Sequence, residues 1–287
     1  MDLNSLRDIK TIHELFKSKK LSVVEFTKFH LEKAHALNPT LNCFITITDE
    51  LALSQAKESE ERYIKGEPLS EIDGIPMSVK DVICVKGIRT TASSKMLDKY
   101  ISPYTATGIE RLIDNGAVII GKNNSDPFAF GGSGENSGYG PAKNPLDISR
   151  VPGGSSSGSA SAVSAGIGIY SIGTDTGGSV RNPASLTGLV GFKPSYGRNS
   201  RYGLISMASS FDTMGVLANR VYDIALVEDI LSGMDTKDST THDLPNTNFK
   251  SDVDKDISGL TIGIPKEYFV DGLDTDIKKS VMDKVEE

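Results

Sequence analysis

Apolar and polar positions follow two periods along the chain. Val24, Leu31 and Ala34 recur at near-helical spacing. Ser22-Val23-Val24-Glu25 before them has capping-box spacing, in which the Ser hydroxyl and the Glu carboxylate satisfy free amides of the first turn. The first forty residues are thus expected to be helical, with Pro39 beyond the helix end. Phe44-Ile45-Thr46-Ile47-Thr48 is a β-branched run and predicts a strand. Asp49 to Gly66 predicts a polar-faced helix closed by glycine. A turn at Asp73-Gly74 then leads into a largely apolar strand, Ile75 to Ile83, with a charged pair, Lys80-Asp81, in its middle. Thr105 to Asn115 reads as a helix stopped by Gly116, and Ala117 to Lys122 as a buried strand. Continuous apolar strands alternating with helices predict an α/β sheet covered on both faces.

Further on, Gly188-Leu189-Val190-Gly191-Phe192 looks buried and Val221 to Leu231 predicts a helix. Residues 234–258 are rich in Asp, Thr, Lys and Asn and predict a surface loop or short linker. Leu260-Thr261-Ile262-Gly263-Ile264 is expected to resume the core as a strand. Asp274 to Glu287 starts as a helix, with Ile277, Val281 and Val285 on one side as an apolar stripe needing a partner. It stops at Glu286-Glu287 without a glycine cap, with two acids at the unfavourable end of the helix dipole. The expectation is a piece of a longer protein.

Sixteen of the 27 residues in 153–179 are Gly or Ser, a proportion that first suggests a flexible linker. Val163, Ile167, Ile169, Tyr170 and Ile172 lie in the same stretch, and its only charged residue is Asp175. A linker would be solvated and lack that apolar set. Small residues among aliphatics instead predict a closely packed helix and strand around a buried site.

The 287 residues carry 31 Lys+Arg against 38 Asp+Glu, a formal charge of -7, which argues against binding nucleic acid by phosphate neutralisation. There is no apolar run long enough to span a membrane, and Met1-Asp2-Leu3-Asn4 has neither signal-peptide nor transit-peptide layout, so a cytoplasmic location is expected. Cys43 and Cys84 sit in apolar runs and are expected to be buried thiols.

Several chemistries are absent from the pattern: there is no dinucleotide glycine fingerprint, phosphate-binding P-loop or His-Glu-x-x-His. Gly154-Ser155-Ser156-Ser157-Gly158 has the Gly-x-Ser-x-Gly form, but a hydrolase elbow needs a downstream histidine as base. The only one is His242, in the polar loop. His30 and His35, on the early helix, read as packing or surface residues. That leaves Lys80, which is costly to bury in an apolar strand. It could form an ion pair with an acid, although Asp81, next along the strand, points to the other face. Alternatively it could be a desolvated amine able to take a proton. Gly177-Gly178-Ser179 could be a nest of inward-pointing amides, an oxyanion hole, or simply a tight turn.

Three blocks carry a family resemblance: Gly74 to Asp81, Pro152 to Ala160, and Gly173 to Arg181. In sequence, order and separation, with 75 residues from Lys80 to Ser155 and 24 from Ser155 to Ser179, they resemble the amidase signature family. Within it, Gly134-Glu135-Asn136-Ser137, Pro194 to Arg198 with Ser200 to Leu204, and Ala208 to Asp212 are similar to the A subunits of the glutamyl-tRNA(Gln)/aspartyl-tRNA(Asn) amidotransferases. The resemblance implies an α/β fold with a mixed sheet, one domain over 1–287 that is incomplete at its C-terminus, and a Ser-Ser-Lys triad. Ser179 matches the nucleophile, Ser155 the bridging serine after a cis peptide, and Lys80 the base. The backbone amides of Thr176, Gly177, Gly178 and Ser179 match the oxyanion hole. It further implies glutamine as substrate and B and C subunits as partners. Mischarged tRNA would be held mainly by the B subunit, and ATP and Mg would be needed there, with no cofactor or metal in this chain. A stand-alone amidase acting on small amides, or a non-catalytic fragment, are the alternatives. Ser157 stands where the family usually has Gly, Asn182 replaces the usual Gln, and Asp126-Pro127-Phe128-Ala129-Phe130 departs from the pattern of those A subunits.

Overall fold

The structure, a computed structural model, describes residues 1–243 and 248–287. Near the N-terminus, α1 (Ile9–Lys17) and α2 (Val23–Leu41) bury Ile9, Ile12, Phe16, Phe26 and Leu31. The Ser22 hydroxyl caps α2 by accepting the Glu25 N–H at 3.1 Å. The return bond of a capping box is replaced by Glu60, which accepts the Ser22 hydroxyl and the Val24 N–H. Contrary to expectation, Pro39 lies inside the last turn of α2, and the helix ends at left-handed Asn42. The Asn38 side chain accepts the Phe44 N–H at 2.8 Å and turns the chain into β1 (Phe44–Ile47). Next come α3 (Asp49–Lys65), closed by left-handed Gly66, β2 (Pro76–Lys80), α4 (Thr107–Asp114) and β3 (Val118–Asn123). The glycine–serine stretch forms α5 (Ser157–Ser164) and β4 (Tyr170–Asp175). Then follow α6 (Arg181–Leu186), β5 (Val190–Phe192), β6 (Thr213–Ala218), α7 (Val221–Leu231) and α8 (Phe249–Asp252).

The strands form one mixed sheet in the order β1-β3-β2-β4-β6-β5. β2 runs parallel to both β3 and β4, while β1, β6 and β5 pair antiparallel with their neighbours. Every residue of β2, β3, β4 and β6 is buried, and successive strand residues face opposite sides, so both faces of the central sheet are covered. α5 crosses β2, β3, β4 and β6. Its small side chains permit the approach: a Cβ on Gly158 would lie 2.4 Å from the Cys43 carbonyl oxygen. Cys43 and Cys84 are buried free thiols. Among the described residues, no helix is long and apolar enough to cross a membrane.

The chain divides into two compact units, Met1–Val253 and Asp254–Glu287. All the candidate site residues lie in the first. Part of the expected 234–258 loop is anchored there: Asp235 and Asp238 are buried and bond Ser200 and Arg201. Residues 244–247 of that segment lie outside the described residues. In the second unit, α9 (Thr275–Glu286) is capped by Asp274, which accepts the Asp276 and Ile277 N–H groups. The strand expected at 260–264 does not form. A strand needs a neighbour to take its backbone bonds. Within this unit the segment has no ladder partner, and Leu260 and Ile262 are exposed.

Candidate active site

The site sits at the carboxyl ends of parallel strands β2 and β4, where open α/β sheets place ligands. Lys80 is the last residue of β2 and is completely buried. Its Nζ lies 2.7 Å from Ser155 Oγ, 2.9 Å from Thr174 Oγ1 and 3.3 Å from the Thr174 carbonyl. Asp81 points away: its carboxylate accepts Lys122 Nζ of β3 at 3.0 Å together with the N–H and hydroxyl of Thr91. Burial lowers the Lys80 amine to about 7, against the partial pull of Asp126, Asp175 and Asp212, which stand beyond hydrogen-bonding reach.

Ser155 follows a cis peptide bond from Gly154. Only glycine fits at 154, since a Cβ there would meet Asp126 Oδ2 at 2.3 Å. Asp126 in turn accepts the Gly134 N–H at 3.0 Å and holds the loop beside it. The next residue, Ser156, donates its N–H to the Ser179 carbonyl at 3.0 Å and its hydroxyl to the Thr174 carbonyl at 3.2 Å. These bonds tie the start of α5 to both ends of the 174–179 loop.

Asp175 organises that loop. Its carboxylate accepts the N–H groups of Gly178 at 2.7 Å and Val180 at 3.1 Å, and the Arg181 guanidinium at 2.9 Å. Burial alone would raise this carboxyl; the Arg181 contact and the backbone donors outweigh burial and hold it below the usual carboxylate range. Asp212 accepts the Thr176 hydroxyl at 2.6 Å and also lines a polar cavity of about 260 Å³ with Arg201, Ser206 and Asp238. Asn182, at a departure from the family pattern, donates to the Gly132 and Gly154 carbonyls at 2.8 and 3.2 Å. Ser157, at another, has a buried hydroxyl with no partner among the described residues.

The structure thus brings Lys80 and Ser155 into contact and ties Ser179 to the neighbouring Ser156 through its carbonyl, while among the described residues no hydrogen bond joins the Ser179 and Ser155 hydroxyls. Among the described residues, no imidazole hydrogen-bonds to Ser155, Ser156 or Ser179. His13 bonds the Tyr63 hydroxyl, His35 bonds Asp49, and His242 lies against the Gly197 turn. His30 accepts the Gly168 N–H, and burial, with Lys33 and Arg7, lowers it to about 3. Sequence reasoning missed Thr174, Asp126, Asp212 and the buried Lys122–Asp81 pair. Lys122 had a readable signal, a lysine closing an apolar run; Lys80 was marked as a lysine in the middle of one, whereas the structure ends β2 at Lys80.

A family model described as Amidase matches residues 25–287, and the chain belongs to the amidase signature family. It is 47% identical over 276 residues to the A subunit of glutamyl-tRNA(Gln) amidotransferase from Carboxydothermus hydrogenoformans, covering 96% of this chain and 57% of that protein. It is 49% identical over 275 residues to the protein of the same name from Coxiella burnetii, covering 95% and 57%. Among solved structures, the A subunit of glutamyl-tRNA(Gln) amidotransferase from Thermotoga maritima matches with a TM-score of 0.73 and 39% identity, over 85% of this chain and 50% of that one. The peptide amidase from Stenotrophomonas maltophilia matches with a TM-score of 0.80 and 33% identity, over 85% and 51%. The chain spans a little over half the length of the curated relatives it matches.

Proposed function

We propose that this chain carries the glutaminase half of a tRNA-dependent amidotransferase, with Lys80, Ser155 and Ser179 as its triad. The observation that carries the reading is the Lys80 amine: fully buried, bonded to two hydroxyls and a carbonyl, with no carboxylate in hydrogen-bond contact among the described residues. A hydroxyl is a poor nucleophile until a base takes its proton. An amine lowered to about 7 is uncharged in a large fraction of molecules at neutral pH and can be that base.

In this mechanism the Ser179 hydroxyl passes its proton to Ser155 Oγ as Ser155 passes its own to Lys80 Nζ. The Ser179 oxygen forms a bond to the side-chain amide carbon of glutamine. The resulting oxyanion faces the N–H groups of Thr176, Gly177 and Ser179; contrary to the expected set of four, the Gly178 N–H is already donated to Asp175. Collapse breaks the C–N bond, and the Lys80 proton returns through Ser155 to the leaving nitrogen, which departs as ammonia. Water then attacks the ester by the same relay, releasing glutamate and restoring Ser179.

The similarity to the A subunits of amidotransferases supports glutamine as substrate. In this reading ammonia passes to a B subunit that activates the carboxyl of Glu-tRNA(Gln) or Asp-tRNA(Asn) with ATP and Mg, a C subunit braces the pair, and the work is cytoplasmic. A chain of charge -7 suits a complex in which the B subunit holds most of the tRNA. The match to a peptide amidase favours one alternative, a stand-alone amidase acting on small amides. Ammonia release from glutamine and from simple amides, with and without B and C partners, separates the two. The expected result is partner-dependent glutamine turnover, with no acyl-enzyme in Ser179→Ala. Partner-independent preference for simple amides supports the alternative, and near-normal hydrolysis by Ser179→Ala removes the triad.

A further inference from the structure

The loop from Thr176 to Ser179 is held at two points. Asp175 grips Gly178, Val180 and Arg181 from inside. The second grip comes from Asp212, just before β6. Besides the Thr176 hydroxyl, its buried carboxylate accepts the N–H groups of Met207 at 3.0 Å and Ala208 at 3.1 Å, and the Ser206 hydroxyl at 3.2 Å. Segment 206–208 therefore fixes the carboxylate, and the carboxylate fixes Thr176. Backbone donors stabilise a developing oxyanion only when already aimed at it, within about half an ångström. Resting on the triad reading above, we propose that Asp212 is a positioning residue, which grips Thr176 from the side of the polar cavity and keeps the oxyanion loop aimed at the carbonyl oxygen of the acyl group attacked by Ser179.

Asp212 also acts on the base through its charge. The charged groups facing Lys80 are Asp126, Asp175 and Asp212, and each favours the protonated amine. The neighbouring Lys122 is paired with Asp81, and Arg201, across the cavity, with Asp238. Replacing Asp212 with a neutral side chain therefore lowers the Lys80 value and moves the acid limb of the rate profile to lower pH.

Two variants separate the grip from the charge. Thr176→Val removes the hydroxyl and leaves Asp212 capping 206–208. It should lower kcat by about tenfold with KM nearly unchanged, short of the about 10²–10³ that outright loss of an oxyanion donor costs. Its pH profile should keep the wild-type midpoint, and Thr176→Ser should recover most of the lost rate. Asp212→Asn should lower kcat at least as far and also shift the acid limb down. Wild-type kcat in Thr176→Val overturns the proposal, as does a loss in Asp212→Asn that Thr176→Val does not share, because Asp212 would then serve only its own turn. The same comparison is read as the rate at which a fluorophosphonate labels Ser179, which needs no amide substrate. If wild type with its B and C partners releases no ammonia from glutamine, the glutaminase reading fails by itself, and the labelling rates still decide the role of Asp212.

Discussion

Two fully buried lysines lie near the ends of adjacent parallel strands, Lys80 as the last residue of β2 and Lys122 as the last but one of β3, and their surroundings differ in one respect. Lys122 on β3 meets a carboxylate: Asp81 lies at 3.0 Å and Thr90 Oγ1 at 2.9 Å. Lys80 on β2 meets only the hydroxyls of Ser155 and Thr174 and the Thr174 carbonyl. Burial lowers both amines, but Asp81 acts against it at Lys122 by direct contact. The acids that favour charge on Lys80 act only from a distance. Burial alone therefore does not distinguish a proton acceptor from a structural cation. The distinction lies in whether the first neighbour is an acid or an alcohol.

Replacing each lysine with methionine should break that contrast most sharply. Lys80→Met should lower amide turnover by about 10²–10⁴-fold, the usual worth of a general base. It leaves no carboxylate stripped of a contacting partner, so its melting transition should stay close to wild type. Lys122→Met does leave one, at Asp81, and should cost about 3–5 kcal/mol of stability in denaturant unfolding. Turnover by Lys80→Met within tenfold of wild type would contradict the assigned base. An unchanged midpoint in Lys122→Met would show that Asp81 tolerates losing its cation.

The pH dependence sharpens the same comparison. With Lys80 near 7, kcat/KM should rise as the pH passes through about 7 and level off above it, because the proposed mechanism uses the neutral amine. Stability follows the same sign. The unfolded lysine holds its proton up to about 10.5, so between about 7 and 10.5 unfolding takes up a proton, and the native state gains stability as pH rises. Glu228 works in the opposite direction. Burial raises its carboxyl from 4.5 to about 8, so its contribution is present below 4.5 and is lost as pH rises through about 8. A raw stability scan mixes the two. The difference between wild type and Lys80→Met isolates the lysine and should shift in favour of wild type over that range. A rate profile flat from pH 6 to 9 would count against a titrating base.

How much of this was legible in the sequence depends on the range of the interaction. Helix α7 (Val221–Leu231) and the close of α3 at Gly66 follow local periodicity and a local stop, and both form as expected. Lys80 and Ser155 could be named because each lies in a block that resembles its family's. Thr174 and Asp212 lie in such stretches too, but the resemblance assigns them no role. Each acts by meeting a residue far away in the chain, and an isolated Thr or Asp has no local signature. Local pattern also overreached. Leu260 to Ile264 alternates like a strand, but alternation supplies no partner for the backbone. Within Asp254–Glu287 none is present, and Ile277 and Val281 of α9 are exposed.

The smallest expected effect tests a departure from the family pattern at the edge of the site. Ser157 opens α5 two residues after Ser155, where the family usually has glycine. Its side chain is buried against Gly134: a Cβ on that glycine would lie 2.4 Å from the Ser157 Cβ. Its hydroxyl is buried without a partner among the described residues. A buried hydroxyl that makes no bond has lost its water for no return, at a cost of about 1–3 kcal/mol. Ser157→Ala keeps the Cβ and the helical start and removes that cost, so it should raise stability by about 1 kcal/mol, with kcat and KM near wild type. Ser157→Gly should gain less or nothing, because added backbone freedom in the unfolded chain offsets the benefit. If Ser157→Ala is instead less stable than wild type, the hydroxyl has a partner, and the Ser157–Gly134 contact joins the bonds that hold the Ser155 loop.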